Sequence, residues 1–310
     1  MPAREPDSAR STYIWGVTAV LIAGICLSSG GLLLRHVEAA DGWQVLFYRS
    51  ISFAATVLVY LLVRYRGRVA RPVLTIGWQG SLVALALGVG FSCYLFGLVL
   101  TSVANVAFIV STAPFFAAVL GWFVLRERIA RSTWLAILMA IAGIGIMIAD
   151  GLSAGGFLGN LVALGAPTTA AFMIVMIRRY PAIDMMPATC LGGLVAAMIA
   201  ATQVDAWLLS AHDLLLSILL GTVQVGVGFI LITIGSRYVP AAQVALLMLG
   251  EAVLSPIWVW LFVAEVPTTL ALVGGAIVLA AVTGQAIAGI RSERSGKRPT
   301  SASAPAVTGR

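Results

Sequence analysis

Apolar runs of roughly 20 residues alternate with short polar breaks along nearly the whole chain, and that is the length an α-helix needs to cross about 30 Å of hydrocarbon. The pattern predicts ten such segments, numbered here in chain order: 13–34, 43–63, 78–100, 103–125, 132–150, 156–177, 186–204, 214–235, 240–264 and 268–290. The breaks carry turn formers or charge, among them Asp41-Gly42, the run from Arg64 to Pro72, Thr101-Ser102, the Arg126 to Arg131 cluster and Pro267. Segment 1 is too long for the apolar core of a cleaved signal peptide and lacks a small-residue cleavage site, so it reads as a retained span.

Composition excludes a water-soluble globule. Of the 310 residues, 60% are hydrophobic and only 10% charged, too few to cover a surface in water. Basic residues number 19, all but one of them arginine. With a cytoplasmic N-terminus, 17 of the 19 fall in the N-terminal segment, in alternate loops that share its side, or in the tail. The opposite loops hold only Arg35, and Arg49 lies inside segment 2. Basic residues are retained on the cytoplasmic side, so this split orients the chain with both termini inside and accounts for the charge without nucleic acid. Residues 1–12 read as a cytoplasmic N-terminal segment and 291–310, rich in Ser, Pro, Gly, Ala and Arg, as a disordered cytoplasmic tail.

The chain repeats itself. Laying segment 4 over segment 9 with an offset of 138 pairs Asn105 with Gln243, Val106 with Val244, Ala107 with Ala245, Trp122 with Trp260 and Glu127 with Glu265. The expected fold is therefore an all-α polytopic membrane protein whose ten transmembrane helices form two five-helix repeats, 13–150 and 156–290. Five is odd, so the second repeat lies inverted relative to the first, the architecture of many alternating-access transporters.

Trp15-Gly16, Arg49 in "FYRSISFAATVLVYLLV", "STAPFFAAVLGWFVLRER" and "LLMLGEAVLSPIWVWLFVAE" resemble the EamA branch of the drug/metabolite transporter superfamily. The resemblance covers about residues 13–290 and, within the branch, is most similar to the YddG-type aromatic amino acid exporters. It implies an inner-membrane exporter of small organic solutes with a central cavity. The proline usual in segment 4 of that family is present as Pro114, whereas its counterpart in segment 9 is Ala252, with Pro256 one turn later.

Polar residues within the segments are the candidate substrate contacts. Glu251 sits mid-segment, where a carboxylate is costly unless paired, protonated or hydrated; it can hold a substrate ammonium, carry a proton or pair with a neighbouring helix. Gln243, Met248 and Trp258 accompany it along segment 9, and Tyr94, Ser111, Thr112, Thr168 and Gln224 lie near the middle of other segments. Arg49 is a possible charge partner for a substrate carboxylate, or an anchor that snorkels outward. Pro114, Pro167 and Pro256 are possible hinges, since proline frees a backbone carbonyl. Segments 5 and 10, poor in polar groups and carrying small residues such as Ala136, Ala140, Gly143, Gly274 and Gly275, suit packing or a homodimer interface.

The expected function is a secondary transporter exporting neutral, apolar and aromatic amino acids by alternating access, with a multidrug or lipophilic-cation exporter, a channel and a scaffold as alternatives. An enzyme is not expected: no His-Glu-x-x-His or Gly-x-Ser-x-Gly motif occurs, and no Walker loop for ATP. Cys26, Cys93 and Cys190 lie in apolar runs and form no metal-ligand spacing, so neither a metal nor a cofactor is expected.

Overall fold

The computed structural model describes residues 6–127, 129–154 and 156–294, and among them every regular element is helical. Nine helices, some of them interrupted, are long and apolar enough to cross a bilayer among the described residues. They fall on the expected segments except the seventh, where the apolar helix Met186–Ala201 has only 16 residues. The protein is thus a multi-pass membrane protein.

Some helices outlast the apolar runs. The helix of segment 1 starts at Pro6, and segment 10 continues helical to Arg294, into the stretch expected to be disordered. Proline fits a first helical turn because its φ is already helical and its missing N–H would have been unsatisfied there. Residues 1–5 and 295–310, the rest of the two expected terminal stretches, lie outside the described residues.

Segment starts are capped where free backbone N–H groups would otherwise meet hydrocarbon. Asp41 opens Gly42–Arg64 (segment 2) with a reciprocal box. Its carboxylate accepts from the amides of Trp43 at 2.7 Å and Gln44 at 2.9 Å, while Gln44 Oε1 accepts from the Asp41 amide at 2.9 Å. Ser102 Oγ accepts from the Asn105 amide at the start of segment 4, and Ser210 Oγ from the Asp213 amide at the start of segment 8.

Four segments are irregular near their middles. Segment 1 breaks at Ser29 between Pro6–Ser28 and Gly30–Arg35; segment 4 breaks at Ser111-Thr112 between Val103–Val110 and Ala113–Leu125. Segment 6 breaks at Leu164 between Phe157–Ala163 and Gly165–Arg179, and segment 8 winds wider, as a π-helix, over Leu220–Val227. Hydroxyls take up carbonyls at these breaks: Ser28 donates to Ile25, Ser29 to Cys26, Ser111 to Phe108 and Thr112 to Ile109. Segment 9, Ala241–Val263, runs unbroken through Pro256. The expected hinge there is not a break, because one missing N–H is carried by the helical bonds on either side.

Several of the main pairings of segments recur when 1–5 are exchanged with 6–10. Segment 1 packs on 8 and 9 as segment 6 packs on 3 and 4; segment 2 packs on 8 as 7 packs on 3; and 5 packs on 10. The last contact is close enough that a methyl at Gly143 would stand 2.6 Å from the Gly274 carbonyl, and one at Gly274 equally near the Gly143 carbonyl. The small residues that suggested a dimer face are therefore spent inside the chain.

Candidate substrate site

A cavity of about 530 Å³ opens among segments 1, 2, 3, 4, 6, 8, 9 and 10, beside the irregular middles of 4, 6 and 8. Its wall is mostly apolar. Leu27, Leu87, Phe91, Met173, Phe229 and Met248 face it, and Phe53 props Phe91 and Phe229 at ring distances of 5.0 and 6.1 Å. Broken backbone at membrane depth is tolerated only where protein or a water-filled cavity covers it, so the cavity and the breaks belong together.

Two opposite charges share this wall. Arg49, 3% exposed, and Glu251 both line the cavity, and neither forms an ion pair or a hydrogen bond among the described residues. The Arg49 guanidinium lies over the Tyr94 ring, 5.6 Å from its centre, and its Nε has no hydrogen-bond partner. Close packing holds Arg49 deep: Gly221 of segment 8 lies so near the Arg49 carbonyl that any side chain there would overlap it. The Arg49 side chain lines the cavity as a buried cation whose cost is offset in part by the aromatic face of Tyr94. Gln224 donates to the Leu27 carbonyl at 3.2 Å, leaving its buried Oε1 without a partner.

Seven of the expected residues meet here: Arg49, Tyr94, Ser111, Pro114, Gln224, Met248 and Glu251. The others lie outside the lining, each for a visible reason. Thr112 is buried on Ile109, and Thr168 is exposed on the far side of its helix, where it donates to Leu164; Thr169 lines the cavity in its place. Gln243 accepts from the Tyr13 hydroxyl at 2.7 Å, tying segment 9 to segment 1. Trp258 donates its indole N–H to Ser28 Oγ at 3.0 Å, pinning segment 9 to the break in segment 1. Pro167 and Pro256 are buried beside the cavity lining rather than in it. Phe229, Thr233 and Ser236 were missed, although their spacing from Gln224 and Val225 marks one helical face.

Two ion pairs flank the cavity. At one end Arg35 Nε donates to Glu265 at 2.6 Å; at the other Arg178 donates to Glu127 at 2.6 Å. Both glutamates follow a residue in the left-handed region, Arg126 at φ 55° and Ala264 at φ 56°, a conformation that costs a non-glycine residue about 1–2 kcal/mol. The amides of Glu127 and Glu265 turn back to Gly121 and Val259, so the 138-residue offset holds down to single hydrogen bonds.

A bundle of apolar helices around a chargeable central cavity is a membrane transporter, and the comparisons agree. The chain belongs to the EamA-like transporter family, which it matches twice, over residues 14–149 and 154–285. Relatives include the pseudopaline exporter CntI of two Pseudomonas aeruginosa strains, 26% and 27% identical over 279 residues, covering 86% of this chain and 94% of the relative. The uncharacterized transporter YdfC of Bacillus subtilis is 27% identical over 56% of this chain and 59% of its own. A solved structure with 18% identity and a TM-score of 0.62 covers 92% of this chain and 99% of its own, and shares the fold. These relatives are transporters, not specifically aromatic amino acid exporters of the YddG type.

Proposed function

We propose that the protein is a secondary transporter exporting neutral amino acids, apolar and aromatic ones preferred, across a bacterial-type inner membrane by alternating access, with two inverted five-segment repeats and both termini cytoplasmic. The observation that carries the reading is the placement of Arg49 and Glu251 on one mostly apolar cavity with no ion pair to either among the described residues. A zwitterion presents the complementary pair, its carboxylate to Arg49 and its ammonium to Glu251, while Phe91, Phe229 and Met248 receive an apolar side chain. A phosphorylated solute would want several cations, and Arg49 is the one basic residue lining this cavity. A lipophilic cation is served by Glu251 and the aromatics but repelled by Arg49. The exporter relatives favour the outward direction.

Counterflow in proteoliposomes tests the reading. Unlabelled phenylalanine, methionine or threonine should compete with a labelled amino acid, and a sugar nucleotide should not. Competition by the sugar nucleotide or by a lipophilic cation, with indifference to every amino acid, overturns it.

A further inference from the structure

The two flanking ion pairs join corresponding segments, 1 with 9 and 6 with 4, through glutamates that match at the 138-residue offset, yet they differ in what they reach. Arg35 extends past Glu265 to the carbonyls of Leu98, at 2.7 Å, and Thr101, at 2.9 Å, and Glu265 also accepts from the Val103 amide at 2.9 Å. Those groups belong to the end of segment 3 and the start of segment 4. The pair therefore straps segments 1 and 9 to segments 3 and 4 across the cavity's Arg35 end. Glu127 and Arg178 hold only each other: neither bonds the connection 236–241 between segments 8 and 9, which corresponds to 98–103, among the described residues. The side chains of Arg178 and Glu127 are 48% and 43% exposed, against 24% and 22% for Arg35 and Glu265.

The cavity is open where the strap is missing. Thr233, Ser236, Val244 and Ala245, near the Arg178 end, line it; of their counterparts in segment 4, Ala107 also lines it, but Val106, the counterpart of Val244, is wholly buried. We infer that Arg35–Glu265 and Arg178–Glu127 are alternating clamps: the first closes one mouth in this conformation, and the second closes the other by docking onto the backbone of 236–241. In that second conformation Arg178 takes carbonyls at the end of segment 8, and Glu127 takes a free amide at the start of segment 9. The inference rests on the alternating-access part of the proposed function, and it assigns Arg35, Glu265, Arg178 and Glu127 to gating and none of them to substrate binding.

Single-cysteine reporters decide it. Val106→Cys and Val244→Cys are each placed in the full chain with Cys26, Cys93 and Cys190 replaced by alanine, and maleimide labelling is followed in detergent. In the parent, Val244→Cys should label fast and Val106→Cys slowly. Glu265→Gln should raise the ratio of Val106→Cys to Val244→Cys labelling by about tenfold, as one weakened charge contact shifts a two-state population. Arg35→Lys, which keeps the charge but loses the fork that spans two carbonyls, should move it the same way by less. It takes the place of Glu265→Gln should that variant elute as an aggregate. A ratio within about twofold of the parent in both monodisperse variants overturns the clamp. Labelling needs no substrate, so the two readings fail separately. An inverted ratio without amino acid counterflow sinks the export reading alone, and counterflow with an unmoved ratio sinks the clamp alone.

Discussion

At the scale of single residues the structure separates polar groups that bond within the fold from those that face the cavity. Trp258, Gln243 and Thr112 spend their hydrogen bonds on Ser28, Tyr13 and Ile109, whereas Arg49 and Glu251 face the cavity without a counter-charge. Charge-assisted contacts contribute about 1.5–3 kcal/mol, so Glu251→Gln and Arg49→Gln should each cut amino acid counterflow by roughly 10- to 100-fold at normal membrane abundance. A normal rate in either variant would remove that charge from the site. Asp213 marks the contrasting case. It is fully buried, its two carboxylate oxygens accept from the amides of Glu38, Ala39 and Ala40 at 3.0 Å, and it fastens segment 8 to the loop between segments 1 and 2. Asp213→Asn turns one acceptor into a donor facing donors and should cost about 2 kcal/mol. A lowered midpoint of thermal unfolding in detergent, with counterflow kept below it, would show this; a loss of counterflow without loss of stability would contradict it.

At the scale of helices, apolar length alone located nine crossing helices, because that signal needs no tertiary context. Irregularities were legible only where proline announces them. Pro114 and Pro167 each sit in the first turn of a second half-helix, as expected. The break at Ser29 has no proline and arises from hydroxyls bonding back to Ile25 and Cys26 ahead of Gly30-Gly31, a choice that competes evenly with an unbroken helix. The wide turns at 220–227 surround Gln224, whose amide reaches Leu27 in another segment, so nothing local in the sequence foretells them. The same limit applied to the site: residue type picked out Glu251 and Arg49, but did not tell Thr168, which faces away, from Thr169, which lines the cavity. The packing of segments 5 and 10 follows from glycine on glycine. Gly274→Leu would drive a side chain into the Gly143 carbonyl and Met147, costing about 1–3 kcal/mol and lowering the thermal midpoint. An unchanged midpoint would mean that these helices separate without penalty.

For the whole molecule, orientation is the property on which the export direction depends. Cysteines placed at Asp41 and His212, both exposed, should react with an impermeant reagent added outside intact cells, and those at Arg68 and Asp184 only after the membrane is opened. External reaction at Arg68 would reverse the topology. One helix also sets how the molecule sits in lipid. Met186–Ala201 spans about 24 Å at 1.5 Å per residue, short of the roughly 30 Å of an average hydrocarbon layer. Leu194 and Met198 on this helix are exposed at the protein's surface. Where the bilayer thins beside them to match the short span, acyl-chain length becomes a mechanical load on the candidate site, because segment 7 packs on segments 2 and 3, which bear Arg49 and Tyr94.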